Sequence, residues 1–238
     1  MPRVCFGSVA AFPRTPNAPF ACARKTKHPL LCQGYENLLN DGGEQWLLPL
    51  LATNDKTFPL LDIIEQAEPD WVEGDGRVYF ATRNPALAVG KPIHFGMGVF
   101  WKASVHSWQG GDKTPQIDLG PYGERVRKFL RDETPFPENM GLMLGVSPRD
   151  KAHVSFTLPY RTKETGCHSF RFHVPGILYV LKVGKNLGAD MPRACFARNP
   201  DHPIQIVDFS KSITSAGARF FGKARTSRKL IDYLGGEK

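Results

Sequence analysis

The apolar period of this 238-residue chain changes once, after Pro137, and that change limits the folds open to it. Before Pro137 apolar residues recur every three to four positions, the spacing of a helix that buries one face; after it they alternate, the spacing of strands. From Cys32, Tyr35, Leu38 and Leu39 share a helical face, Gly42 and Gly43 interrupt it, and Trp46, Leu47, Leu50 and Leu51 resume it until Pro49 kinks or ends the segment. Residues 62–67 form a short helix before Pro69, and Arg77 to Thr82 alternates as a strand. The strongest helical signal is Ile93 to Trp108, with Met97, Trp101, Val105 and Trp108 as its core stripe. A further helix starts within Asp118 to Pro121, since proline loses no hydrogen bond at a first helical position. It buries Tyr122, Val126, Phe129 and Leu130, and its other face carries Arg125, Arg127, Lys128 and Arg131.

The strands beyond Pro137 are Leu142–Val146, His153–Leu158, Ser169–Val174, Ile177–Val183 and Ile204–Val207. In the third, Phe170, Phe172 and Val174 share the packed face, while Arg171 and His173 share the face that meets water. Helices followed by strands, without regular alternation, define an α+β fold: helices of the first half packed on a mostly antiparallel sheet from the second half, and not a doubly wound parallel sheet. With 23 Gly and 20 Pro the elements are short. No stretch reaches the roughly 18 apolar residues of a membrane span. Five scattered cysteines do not make a disulfide scaffold, which suits a reducing, cytoplasmic setting.

Composition divides the chain into an irregular basic arm (1–27), a main α+β domain (28–210) and a basic carboxyl-terminal tail (211–238). The first 31 residues carry five bases and no acid; residues 211–238 carry seven bases and two acids; the net charge of +8 leaves −2 for the middle. Basic ends of this kind attract a phosphate backbone through counterion release, and they also occur as plain solvated tails. The arm holds four prolines and no periodic apolar pattern. It fits an organelle transit peptide better than a secretory signal, and it also reads as a segment foreign to the domain.

The signatures of P-loop, dinucleotide-binding, nucleophile-elbow and zincin enzymes are missing, and there is no CxxC. Cys5, Cys22, His28 and Cys32 match a tetrahedral zinc site in number but not in spacing, because a zinc knuckle needs two ligands on one tight turn. Of these, Cys22, His28 and Cys32 are the candidate ligands for zinc or another divalent metal. The seven histidines are spread along the chain. His94 and His106 fall at opposite ends of one helix, and His168 and His173 on opposite faces of one strand. Glu36 and Glu44, candidates for ligands or acids, read better as solvated helix residues.

The segment His28 to Leu51 resembles a stretch found in a family of bacterial HNH-endonuclease-like proteins, in which a leucine pair precedes a CxxCE zinc knuckle and a polar turn leads to Gly-Glu and a tryptophan. Leu30, Leu31, Cys32, Glu36, Gly43, Glu44 and Trp46 carry the likeness. Phe100 to Trp108, Ile117 to Leu130 and Phe172 to Lys185 are similar to the body of the same proteins, so the resemblance spans about Arg24 to Lys211. It implies descent from a ββα-metal nuclease, in which a histidine activates water and a divalent ion stabilises the phosphate transition state. This chain lacks the family's earlier CxxC and His-containing segment and has Tyr35 where the second knuckle cysteine stands. A module truncated, replaced or decayed accounts for that equally well.

Three functions follow as expectations. The first is a nucleic-acid-associated relative of HNH-like nucleases with an incomplete metal site, binding DNA through Arg125, Arg127, Lys128 and Arg131 and through Lys223, Arg225, Arg228 and Lys229 of the tail. The second is a non-catalytic interaction or structural protein with no nucleic-acid role, its partner another protein or its own copies. The third is an active metal-dependent endonuclease.

Overall fold

The computed structural model describes residues 33–106, 116–189 and 191–213. Its helices fall mostly in the first half and its strands mostly in the second, in one seven-stranded mixed sheet, so the fold is α+β. The helices are α1 (Gln33–Leu39), α2 (Gln45–Leu47), α3 (Pro59–Ile64), α4 (Gly90–Val105), α5 (Tyr122–Leu130) and α6 (Met191–Ala194). The strands are β1 (Trp71–Glu73), β2 (Gly76–Phe80), β3 (Met140–Val146), β4 (Tyr160–Thr162), β5 (His168–Val174), β6 (Ile177–Val183) and β7 (Pro203–Ile206). Their order is β1-β2-β7-β3-β6-β5-β4. Neighbours are antiparallel except β3 and β7, which run parallel with Leu144 opposite Ile204. The last strand thus joins the β1–β2 hairpin of the first half to the sheet of the second. Among the described residues no helix is long and apolar enough to cross a membrane.

Alternation decides what the sheet buries. Phe170, Phe172, Tyr179, Leu181, Leu142 and Leu144 are at most 2% exposed and form its packed face. Phe172 stacks on Tyr179 at 4.8 Å, and Phe100 of α4 meets Phe172 edge-on at 4.9 Å. Phe95 of α4 closes the group at 5.8 Å from Tyr179. Such pairs add about 1 kcal/mol each to the burial of their area. Gly96 lets the Tyr179 ring reach the helix, since a Cβ there would stand 2.6 Å from the ring.

The expected glycine break between the first two helical pieces is instead a π-helical turn, Asn40–Glu44, and the backbone stays helical from α1 through α2 to a 3-10 turn at Leu48–Leu50. Gly43 presses this turn onto α4: a Cβ there would lie 2.5 Å from the Lys91 carbonyl oxygen and 2.7 Å from the Phe95 nitrogen. Lys91 Nζ donates to the Asp41 carbonyl at 2.7 Å and fastens the same contact. Pro49 sits inside the closing 3-10 turn, and the extended Leu51 ends it.

Other expectations need correcting. α3 begins at Pro59, three residues before the expected start, because proline takes the first turn and Leu60, Leu61 and Ile64 supply the buried face. In α4, Val105 is 54% exposed whereas Phe95, Phe100 and Ala103 are buried. Met97 and Trp101 are buried as expected, so only Val105 leaves the expected stripe, and a helix packed on two sides buries more than that one row. Trp108 lies outside the described residues. Asp118 does not open α5; it accepts the Gly120 N–H at 2.7 Å in a turn where Gly120 has φ +53°, and α5 starts at Tyr122. Residues 153–158 are not a regular strand, although they run beside β5. There Thr157 N donates to the His173 carbonyl, but His173 N donates to the Thr157 hydroxyl in place of a backbone carbonyl. Pro159 follows and can donate nothing to a ladder.

The Gly43 contact gives a direct test. Gly43→Ala is expected to cost about 2 kcal/mol, the usual cost of forcing a methyl against fixed backbone. Gly34→Ala, at a position in α1 open on all sides, should be neutral or slightly stabilising. Chemical denaturation of both variants checks the pair, and equal stability would contradict the packing described.

Candidate nucleic-acid interface

Charge is divided between the two halves of the body. Residues 33–139, which supply five of the six helices, carry ten bases and sixteen acids; residues 140–213, which supply five of the seven strands, carry ten bases and five acids. The near-neutral middle is thus a sum of opposites.

The expected interface on α5 is largely committed to internal partners. Arg127 donates from Nε and Nη2 to the two Glu124 carboxylate oxygens, each at 2.7 Å, and from Nη1 to the Tyr35 hydroxyl at 2.9 Å. The Arg127 hydrogen bond holds the Glu124 carboxyl below its ordinary range. Arg131 pairs with Glu133 at 2.9 Å and lies over the Tyr35 ring. Arg125 lies over the Tyr122 ring, and Arg125 and Lys128 are exposed. Among the described residues neither of these two makes an ion pair. Lys223, Arg225, Arg228 and Lys229 lie outside the described residues.

Cys22, His28 and Cys32 also lie outside the described residues, but Tyr35 does not. Its ring stacks on Trp101 at 5.4 Å with an interplanar angle of 21°, with two guanidinium groups against it. A zinc knuckle needs thiolates at such a position. A phenol facing two fixed positive charges does not fit a dication, so the group the resemblance implies finds no ligand at Tyr35. Among the described residues no three His, Cys, Asp or Glu side chains are grouped to hold a metal ion. Cys167 and Cys195 are free thiols, and burial, followed by the nearby Glu164 charge, raises the Cys167 pKa.

Glu44 is neither a ligand nor simply solvated. Its carboxylate accepts from Lys102 Nζ at 2.6 Å, and the Lys102 side chain is only 6% exposed. Removing one member of so enclosed a pair costs about 3 kcal/mol, so the residue is needed for packing whatever else it does.

The other face of β5 presents Ser169, Arg171 and His173 in a row. Arg171 is half-buried, and among the described residues it pairs with no carboxylate; its Nε is enclosed without an acceptor. Beside Ser169 across the ladder stands Lys182 of β6, tied to Glu164. Burial pushes the Glu164 carboxyl up, yet the Lys182 hydrogen bond and charge outweigh it and leave the group more acidic than usual. Exposed Arg161, Lys163 and Lys185 lie along the same end of the sheet, and Arg161 contacts the His168 ring at 2.7 Å.

His173 does not meet water, as its strand position suggested. It is fully buried, with the Tyr160 ring parallel to it at 6.3 Å and Phe209 at 5.6 Å. The Thr157 hydroxyl accepts from His173 N at 2.9 Å and lies 3.2 Å from Nδ1. Nε2 is enclosed without a hydrogen-bond partner. Burial, then the Arg171 charge, lowers the His173 pKa to about 4.

No family model, no curated protein and no solved structure matches this chain.

The His173 environment sets a pH dependence. In the unfolded chain this histidine takes up a proton near its ordinary pKa, whereas in the folded protein it resists until about 4. Stability is therefore expected to fall as pH drops from about 6.5 to about 4, by about 3 kcal/mol from this residue, and to level off below. Denaturation of wild type and His173→Gln at neutral and acid pH checks it. The variant should lose the less on acidification, and equal acid losses would contradict the buried neutral ring.

Proposed function

We propose that this chain is a nucleic-acid-associated relative of the HNH-like nucleases that lacks a complete catalytic metal site. The observation that carries the reading is the separation of charge: an acidic helical half and a basic strand half, with further bases in both terminal segments. A polyanion meets attraction on one part of the body and repulsion on the other, which orients it without any base-specific contact. The surroundings of Tyr35 support the loss of the knuckle. Arg125 and Lys128 of α5 add exposed cations on the helical half, while Arg127 and Arg131 serve mainly to hold Tyr35 and the neighbouring acids. A cytoplasmic setting belongs to the same proposal and accords with the free thiols of Cys167 and Cys195.

A second reading, association with a protein partner or another copy, is favoured by β1. This edge strand leaves Trp71 59% and Val72 56% exposed, and an exposed edge invites pairing.

Binding of a fluorescent oligonucleotide measured by anisotropy at rising salt tests the first reading. Affinity should fall steeply, and replacing Arg161, Lys163 and Lys185 by serine should lower the log–log slope by about one for each phosphate that is no longer neutralised. No binding at low salt would contradict it.

A further inference from the structure

We propose that the segment 153–163 is a track for single-stranded nucleic acid, with Phe156 as the platform on which a base stacks. The inference rests on the nucleic-acid reading and adds to it the form of the strand. Residues 153–158 follow β5 and lead through Pro159 into β4, the last strand in the sheet order. Along the way Gly176 N donates to the His153 carbonyl at 3.1 Å and Thr157 N to the His173 carbonyl at 3.0 Å. Thr157 turns its hydroxyl toward β5, where it accepts from His173 N at 2.9 Å. Its neighbours Phe156 and Leu158 therefore turn the other way, off the sheet, and stand 60% and 39% exposed. Two large apolar side chains exposed on one side of one segment mark a contact surface.

Charge selects the occupant. Residues 149–163 carry Arg149, Lys151, Arg161 and Lys163 against one acid, Asp150. Arg149 is shared with Asp62, while Lys151 stands 3.7 Å from Asp150 and interacts with Asp208. Arg161 and Lys163 are exposed, and among the described residues neither makes an ion pair. From Phe156 to Arg161 the chain spans at most about 17 Å, within reach of the roughly four nucleotides that the smallest single-strand sites hold. An aromatic face beside free cations holds a single strand without reading its sequence, because every base has a π face and a duplex keeps those faces stacked inside. Trp71 supplies the contrast. It is as exposed as Phe156, but residues 65–76 around it hold five acids and no base, so that ring repels a polyanion. At the start of the track, His153 and Val154 line a cavity of about 320 Å³ together with Lys56 and Arg149, a recess for the adjoining nucleotide. Asp55 of the same loop accepts from the Thr53 and Thr57 hydroxyls and keeps its charge, so the phosphates are held at the Arg161 end.

The test uses the full chain with a fluorescent oligothymidylate, an abasic strand and a duplex of the same length, binding being followed by anisotropy. Wild type should hold the thymidylate strand about tenfold tighter than the abasic one, the share of one stacked base. Phe156→Ala should weaken thymidylate binding about tenfold and leave the duplex unchanged, Phe156→Trp should keep it, and Trp71→Ala should bind as wild type does. Equal affinity for thymidylate and abasic strands, or a Phe156→Ala protein that binds like wild type, overturns the track and leaves the nucleic-acid reading standing. The abasic comparison needs no variant, so it decides the matter even where Phe156→Ala does not fold. Self-association seen by sedimentation and abolished by Phe156→Ala, with no preference for bases, gives the row to a second copy and overturns the track. Failure of every nucleic acid to bind at low salt overturns both.

Discussion

The structure depends on α4 being enclosed on two sides. Its aromatic residues Phe95 and Phe100 pack on Phe172 and Tyr179 of the sheet. Its backbone at Lys91 and Phe95 receives the π-helical turn through Gly43. The helix therefore links the first helical segment to the sheet, and larger residues at Gly43 or Gly96 would part the layers. The ion pair between Glu44 and Lys102 sits on the same seam and adds a polar constraint where the rest is apolar.

This arrangement assigns structural work to residues that a family likeness would mark as functional. Gly43 and Glu44 serve contacts to α4, and Tyr35 fills a space between Trp101, Arg127 of α5 and Arg131 at its C-terminal end. The Tyr35 hydroxyl accepts from Arg127 and its ring lies between Trp101 and Arg131, so the side chain serves packing there. The helical half serves as a scaffold, and its surplus of acids makes it a poor surface for a polyanion. The strand half offers the opposite, with twice as many bases as acids in residues 140–213.

Much of the architecture was legible because alternation and burial coincide. β6 spans the expected Ile177–Val183, and β5 starts one residue before its expected Ser169. β1 left no pattern to read: all three of its residues are exposed, and only pairing with β2 defines it. The segment at 153–158 alternates in sequence, but a side-chain hydroxyl displaces a ladder carbonyl, which periodicity does not register. For the site, sequence placed Arg171 and His173 on one face of their strand, yet it assigned that face to water. The cover over His173 comes from Tyr160 and Phe209, distant in sequence, and the pairing of Arg127 with Glu124 and Tyr35 is likewise a matter of rotamers. Cations are visible in a sequence; their partners are not.

The central claim is that a polyanion is received by the strand half and turned away by the helical half. Photo-crosslinking of a halogenated oligonucleotide to the full chain, followed by peptide mapping, tests it most directly. The account predicts adducts on peptides from residues 149–185, Tyr160 among them, which stands opposite Arg171 across the ladder. Adducts confined to residues 33–105 would contradict it.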